Sequence, residues 1–426
     1  MQARSARRRT TRRVAPPLEH RILLTATLCL IAFGAVMVYS ASSPDGVING
    51  GGYGITDFVH YLVAAVLGLT AMRLFEQYGL SWFNETNVRL LLYVTFGLML
   101  AVLVPGIGRD VNGARRWFAF GPLEFQPSEL MKLSLVLYVS RYLADHPKRL
   151  NLPFRAALAP IAVVLAPACG LMVLEPDLGT TLLVVFTIVS LLVAAGIPFG
   201  HLARIVLVVI GLVAVMAVLR PYQLGRLTSF LHPFSVASSS GWQAVQGQMA
   251  VGSGGLSGVG LGQSVAKVQW LPEAQTDFIL AVVGEELGLI GILAVVTLYG
   301  MIAYAGLRTA RRAATRYTKL LAAGLTSLIL CQGILNIFVV LGIAPLTGVP
   351  LPFISYAPTS LIVMLMCVGL LLAIAKPAAR ELRLVDTGDI RVSRAVAYDS
   401  AEDPDRHRRY GGAHRSGVGS RRAFER

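Results

Sequence analysis

Ten long apolar stretches punctuate this chain, near Ile22 to Ser40, Phe58 to Leu74, Val88 to Val104, Pro127 to Tyr142, Ala156 to Leu174, Leu178 to Ala195, Leu202 to Leu219, Phe278 to Gly306, Leu320 to Leu341 and Thr359 to Ala375. A helix needs about 20 apolar residues to cross the hydrocarbon core of a bilayer. Backbone polar groups find no water there, so an isolated apolar segment must satisfy them internally as a helix. The fourth stretch is interrupted by Glu129 and Lys132, and only Glu175-Pro176-Asp177 separates the fifth from the sixth. The chain is 55% hydrophobic and 14% charged, against about 25% charged in a soluble domain. A soluble globular fold is excluded, and the predicted class is an all-α polytopic membrane protein with about ten transmembrane helices.

Charge gives the expected orientation. The net charge of +15 would suggest nucleic acid in a soluble protein, but the apolar content argues against that partner. Residues 1–21 carry +6, 141–155 carry +3, 307–319 carry +5 and 376–426 carry +4, which leaves −3 for everything else. With ten spans all four basic segments fall on one side, which the positive-inside rule makes cytoplasmic. The expected organisation is a basic N-terminal segment 1–21, a transmembrane domain 22–375 with a large extracytoplasmic loop 220–277 between the seventh and eighth spans, and a C-terminal tail 376–426. Low apolar content predicts disorder in both tails. A cleaved signal peptide is the rival reading of the N-terminus, but the apolar run is longer than a typical signal core. Cys29, Cys169, Cys331 and Cys367 all lie inside apolar runs with no C-x-x-C spacing and read as packing residues.

The outward connections hold the chemistry. Arg109, Arg115, Arg116, Arg220, Arg226 and Lys267 sit where the topology rule disfavours cations, and Lys132 sits within a span. Guanidinium groups bind phosphate through paired donors, so converging arginines would suit a lipid-linked phosphate or pyrophosphate. The alternative is neutralisation by Asp110, Glu124, Glu175, Asp177 and Glu273 on the same side. Glu129 and Lys132 are three apart on one helix face and read as a salt bridge; adjacent Glu285 and Glu286 point about 100° apart. Trp270-Leu-Pro-Glu-Ala-Gln-Thr-Asp-Phe-Ile279 runs from a polar loop into an apolar helix. There Thr276 or Asp277 is either an N-cap or, for Asp277, a carboxylate at the hydrocarbon edge able to act as general base. His232 precedes Pro233 and reads as a turn residue. No H-E-x-x-H, P-loop or G-x-S-x-G pattern is present.

Asn112-Gly-Ala-Arg-Arg-Trp117, Gln126-Pro-Ser-Glu-Leu-Met-Lys132, Glu175-Pro-Asp-Leu-Gly-Thr180, Gly252-Ser-Gly-Gly255, Leu271-Pro-Glu-Ala-Gln-Thr-Asp-Phe-Ile279, Gly284-Glu-Glu-Leu-Gly288 and Pro350-Leu-Pro-Phe-Ile-Ser-Tyr356 resemble, in order, the SEDS family of peptidoglycan polymerases that includes FtsW, RodA and SpoVE. The Pro-Glu-Ala before Thr-Asp is more like FtsW than RodA. The resemblance implies a ten-span fold in the bacterial cytoplasmic membrane with both termini cytoplasmic. It also implies glycosyl transfer from lipid II outside the cytoplasm, during cell division or elongation, with Asp277 as the essential catalytic residue. Arg115, Arg116 and Arg226, with Lys132, would stabilise the departing pyrophosphate. Gln246, Glu273, Thr276 and Ser355 are candidate substrate contacts, and Glu129, Asp177, Glu285 and Glu286 form the expected charge network. No cofactor is certain; a divalent ion, Mg or Mn, could share the pyrophosphate, although the sequence shows no dedicated ligand set. Implied partners are a class B penicillin-binding transpeptidase and divisome or elongasome membrane proteins, with no nucleic acid. The alternatives are a lipid II flippase and a non-catalytic scaffold. Two departures stand out: Ala357-Pro358 replaces the family's Gly-Gly, which stiffens that turn, and Gln275 replaces a common His beside Thr276-Asp277.

Overall fold

The structure, a computed structural model, describes residues 16–48, 55–111, 114–120, 123–219, 230, 235, 241–268 and 270–376. The expectations for residues 1–15, for Arg220, Arg226 and His232, and for the tail from residue 377 lie outside them.

Each of the ten apolar stretches is helical. The chain forms α1 (Leu18–Ile48), α2 (Ile55–Trp82), α3 (Glu85–Leu103), α4 (Pro127–Asp145), α5 (Phe154–Leu174), α6 (Leu178–Ala195), α7 (Phe199–Leu219), α8 (Trp242–Ser253), α9 (Ile279–Arg312), α10 (Arg316–Val340) and α11 (Pro358–Ala375). Among the described residues, eight of these are long and apolar enough to cross a membrane. Helix α4 is not among the eight, because Glu129, Lys132, Arg141 and Asp145 lie within its 19 residues. Most of its side chains are nevertheless buried, so it is an inner helix of the bundle. Helix α7 is apolar over Phe199–Val208 among its described side chains.

Local signals set the helix ends. Asn84 caps α3 by accepting from Asn87 N, Asp177 caps α6 by accepting from Thr180 N, and Thr315 with Thr318 forms a capping box on α10. Helix α2 lies along α11, and α9 packs against α1 and α10. One apolar core joins α1, α2, α9, α10 and α11; a second joins α3 to α6.

Two elements modify the all-helical expectation. A three-stranded antiparallel sheet of β1 (Arg109–Val111), β2 (Ala114–Phe120) and β3 (Leu123–Phe125) replaces the loop expected between α3 and α4. Helix α8 occupies part of the long connection before α9.

Polar side chains gather at the two ends of the bundle. At one end Glu19 pairs with Arg308 and Arg312, while Glu76 takes His20, Arg73 and Lys376. At the other end the sheet touches the turn 175–177 and the start of α11, the start of α6 packs on residues 347–349, and the segment 270–278 meets the segment 342–357. That second end carries Asp277.

Candidate functional site at the loop-bearing end of the bundle

Asp277 is partly buried and lies two residues before α9. The N-cap position is Phe278, with no side-chain cap hydrogen bond there. Thr276 Oγ1 donates instead to Glu273, at 2.9 Å from Oε2 and 3.2 Å from the carbonyl. The N-cap position thus falls on Phe278 rather than on Thr276 or Asp277. Glu273 itself adopts φ 56°, a left-handed conformation uncommon outside glycine.

The backbone around Asp277 is clamped to the segment before α11. Asn336 on α10, 1% exposed, donates through Nδ2 to the Asp277 carbonyl at 2.7 Å and to the Val349 carbonyl at 2.9 Å. Tyr356 N donates to Gln275 O at 2.9 Å. Gly348, with φ 69°, lies beside the carboxylate, where an added Cβ would be 3.3 Å from Asp277 Oδ2. A side chain at that position would both strain the backbone and crowd the acid. Helix α8 closes another side: a Cβ on Gly247 would lie 2.5 Å from the Phe278 ring, and Gln246 is its partly buried neighbour. Trp242 Nε1 donates to Trp270 O, and Gln243 Nε2 to Pro272 O.

The arginines have defined surroundings. Arg116 donates through Nε to Glu175 O at 2.6 Å and through Nη2 to Pro176 O at 2.5 Å. Arg115 lies opposite Asp110 in the sheet and is partly buried. Arg109 pairs with Glu124 at 2.6 Å.

Lys132 departs from the expected substrate contact. It is 1% exposed, and its ammonium meets Glu129 at 2.7 Å and Gln332 Oε1 at 2.9 Å. A lysine so enclosed and paired is not presented to a ligand. Ser355 departs likewise: it is 2% exposed, and its Oγ accepts from Leu351 N at 2.8 Å, closing its own turn.

Asp177 holds Gln126 Nε2 at 3.1 Å besides capping α6. Glu285 accepts from Ser264 Oγ and from Val265 N and Ala266 N. Glu286 accepts from Ser40 Oγ and from Lys267 Nζ at 2.8 Å. Glu285 thus pins residues 264–266 of the long connection to α9, and Glu286 holds Lys267 in a buried ion pair.

Three features gained importance only in three dimensions. Glu175 is 0% exposed, and neither carboxylate oxygen has a hydrogen-bond partner among the described residues. Burial, then the Asp177 charge, pushes its carboxyl up to about 8 despite Arg116. Burial, with Asp57 and Glu124 nearby, pushes the Tyr356 phenol up to about 12. Asn336 and Gln332 are the third feature, and their signal was present in the sequence: two amides at i, i+4 inside an apolar helix. Among the described residues no three His, Cys, Asp or Glu side chains converge to hold a metal ion.

Residues 20–380 match the model of the FtsW, RodA and SpoVE family, described as cell cycle proteins. Stage V sporulation protein E of Bacillus subtilis is 36% identical over 371 residues, covering 86% of this chain and 99% of its own. A probable peptidoglycan glycosyltransferase FtsW of Hahella chejuensis is 37% identical over 362 residues, covering 84% and 90%. Among solved structures, a chain from a study of the structural coordination of polymerization and crosslinking by a peptidoglycan synthase complex superposes with TM-score 0.67 at 30% identity, covering 83% and 96%. The rod shape determining protein RodA of Thermus thermophilus gives TM-score 0.59 at 29% identity, covering 83% and 95%.

Proposed function

The chain belongs to the FtsW, RodA and SpoVE family, a multi-pass peptidoglycan glycosyltransferase of the bacterial cytoplasmic membrane, and we propose that it polymerises lipid II at the outer face with Asp277 as general base. The reaction is displacement at C1 of a lipid-linked N-acetylmuramyl unit by the 4-hydroxyl of an N-acetylglucosamine. The C1–O bond to undecaprenyl pyrophosphate breaks as the new glycosidic bond forms, and the hydroxyl proton passes to the Asp277 carboxylate. For that transfer the carboxylate must come within hydrogen-bond reach of the hydroxyl, directly or through one water.

The observation that carries the reading is the setting of Asp277. It is partly buried, directly precedes the N-cap position of α9, and lies beside Gly348, where a side chain would crowd the carboxylate. Arg115 and Arg116 on β2, with Arg226, are the cations assigned to the developing pyrophosphate charge. Arg116 also braces the turn 175–176. Gln246, Glu273 and Thr276 remain the assigned substrate contacts. Lys132 and Ser355 act from inside the protein, by holding the segments that form the site.

A class B penicillin-binding transpeptidase is the assigned partner, supported by the likeness to a chain of a synthase complex that coordinates polymerization and crosslinking. The test supplies purified chain, with that partner, with lipid II and measures glycan strands. Asp277→Asn is expected to lose about 10²–10⁴-fold in rate. Wild-type polymerisation by that variant would falsify the assignment of the base, and transbilayer movement of lipid II without polymer would favour a flippase.

A further inference from the structure

Two segments without regular secondary structure, 270–278 and 342–357, build the surroundings of Asp277. Irregular backbone does not hold a carboxylate in one place unless something rigid fixes it. Helix α10 supplies that support from a face otherwise made of apolar residues. Gln332 and Asn336 are one turn apart and therefore on the same side, and they are 0% and 1% exposed.

Asn336 spends its amino group on two carbonyls, one from each segment: Asp277 O at 2.7 Å and Val349 O at 2.9 Å. The two hydrogens of one amide lie in a plane at a fixed separation, so this contact sets the spacing of the two backbones. Its Oδ1 has no partner among the described residues, so the described contacts of this side chain are made by its donors. Gln332 repeats the arrangement one turn earlier. Its Nε2 donates to Pro350 O at 3.0 Å and to Ser360 Oγ at 3.2 Å, while its Oε1 accepts from Lys132 at 2.9 Å. A continuous path thus runs from the Glu129–Lys132 pair through Gln332, Pro350, Val349 and Asn336 to Asp277.

We propose that Asn336 is the positioning residue that aims Asp277 at the sugar hydroxyl, and that Gln332 anchors the same clamp to the buried Lys132–Glu129 pair. This rests on Asp277 being the base. Holding the Asp277 carbonyl fixes its peptide plane and hence the direction of its Cα–Cβ bond, and a misplacement of about 1 Å costs on the order of 100-fold in rate. A residue that merely satisfied two buried carbonyls would affect folding and substrate binding together. A positioning residue instead affects turnover.

The experiment measures polymerisation rate against lipid II concentration for the full-length chain with its transpeptidase partner, and the thermal unfolding of each variant. Asn336→Leu removes both donors without adding charge. It is expected to lower kcat about 100-fold while KM stays within about threefold of wild type. Asn336→Gln keeps the amide but moves it by one methylene. It is expected to unfold at the wild-type temperature and still lose more than about tenfold in kcat, and it decides the matter where Asn336→Leu does not fold. Wild-type kcat in Asn336→Gln, or a rise in KM as large as the fall in kcat, overturns the positioning role. Asp277→Asn in the same assay separates the two ideas: its polymerising normally defeats the base itself, whereas a dead Asp277→Asn beside a fully active Asn336→Gln defeats only the clamp.

Discussion

A carboxyl group out of contact with water and without a hydrogen-bond donor favours its neutral form. Glu175 is in that position at the turn between α5 and α6, with both oxygens unpartnered among the described residues and its carboxyl pushed from 4.5 up to about 8. The turn bears on the site because Arg116 grips its carbonyls. Gly179, just beyond, packs so closely on the 347–349 segment that a Cβ would lie 2.2 Å from Thr347 O. In the unfolded chain Glu175 releases its proton near 4.5, whereas the folded protein keeps it until about 8. The folded state therefore binds more protons between these values, and stability, fully present below the lower one, falls as pH rises toward the upper one. Glu175→Gln is neutral at every pH and removes the effect. Its stability should match wild type near about pH 4 and exceed it near about pH 8.5 by an amount on the order of 4 kcal/mol, read as a higher unfolding temperature. Parallel pH dependence in variant and wild type would show that Glu175 is ionised in the folded protein.

At the scale of elements, helix α9 is broken at Gly288, where φ is 65° and ψ is −160°. In a continuous helix Leu289 N and Ile290 N would donate to Glu285 O and Glu286 O. Here Val259 N and Gly260 N take those two carbonyls, while Leu289 N and Ile290 N turn to Gly255 O and Leu256 O. Residues 255–260, within the glycine run 252–262, thus repair the break, which requires glycine at Gly258, where a Cβ would sit 2.1 Å from Glu286 O. The Glu286–Lys267–Ser40 cluster secures the junction to α1. Lys267→Met leaves the buried Glu286 without its cation and should cost about 3–5 kcal/mol. Adding Glu286→Gln should recover most of that, a coupling measurable as a double-mutant cycle in thermal unfolding; simple additivity would show that the pair is solvated. Little of this junction was legible in the sequence. The run of glycines was visible, but a glycine run specifies no partner, and the partner is backbone exposed by a break in an otherwise apolar helix. The sheet does carry a sequence signal: Asn112-Gly113 lies between β1 and β2, and Asn-Gly between apolar or β-branched residues is a strong hairpin mark. The membrane-helix pattern on either side overshadowed it.

For the whole molecule, long apolar runs were sufficient to place the helices, because in hydrocarbon an isolated segment must satisfy its own backbone. The same logic explains why contacts were harder to read. Lys132 looked available for phosphate because sequence shows a cation in a span but not the Glu129 and Gln332 that enclose it. Asp277 stood out as a candidate because a short polar motif lies beside an apolar run, but the residues alone left it either an N-cap or a base, and the family resemblance favoured the base. The distribution of charge over the two ends now allows a test of orientation. One end holds the clusters around Glu19 and Glu76; the connections 146–153 and 313–315 belong with the basic segments expected inside. The other end holds Asp277, the sheet and the exposed Ile107 and Trp270. Single cysteines replacing Ile107 or Trp270 should react with a membrane-impermeant maleimide added to intact spheroplasts, whereas cysteines replacing the exposed Lys148 or Ala314 should react only after the membrane is opened. The positive-inside rule requires that sign, since five basic residues and no acid lie between 307 and 319. Labelling of Lys148→Cys from outside would invert the protein and place Asp277 on the cytoplasmic side. Polymerisation outside the cytoplasm requires the base there, so this one measurement tests the orientation and the location of the chemistry together.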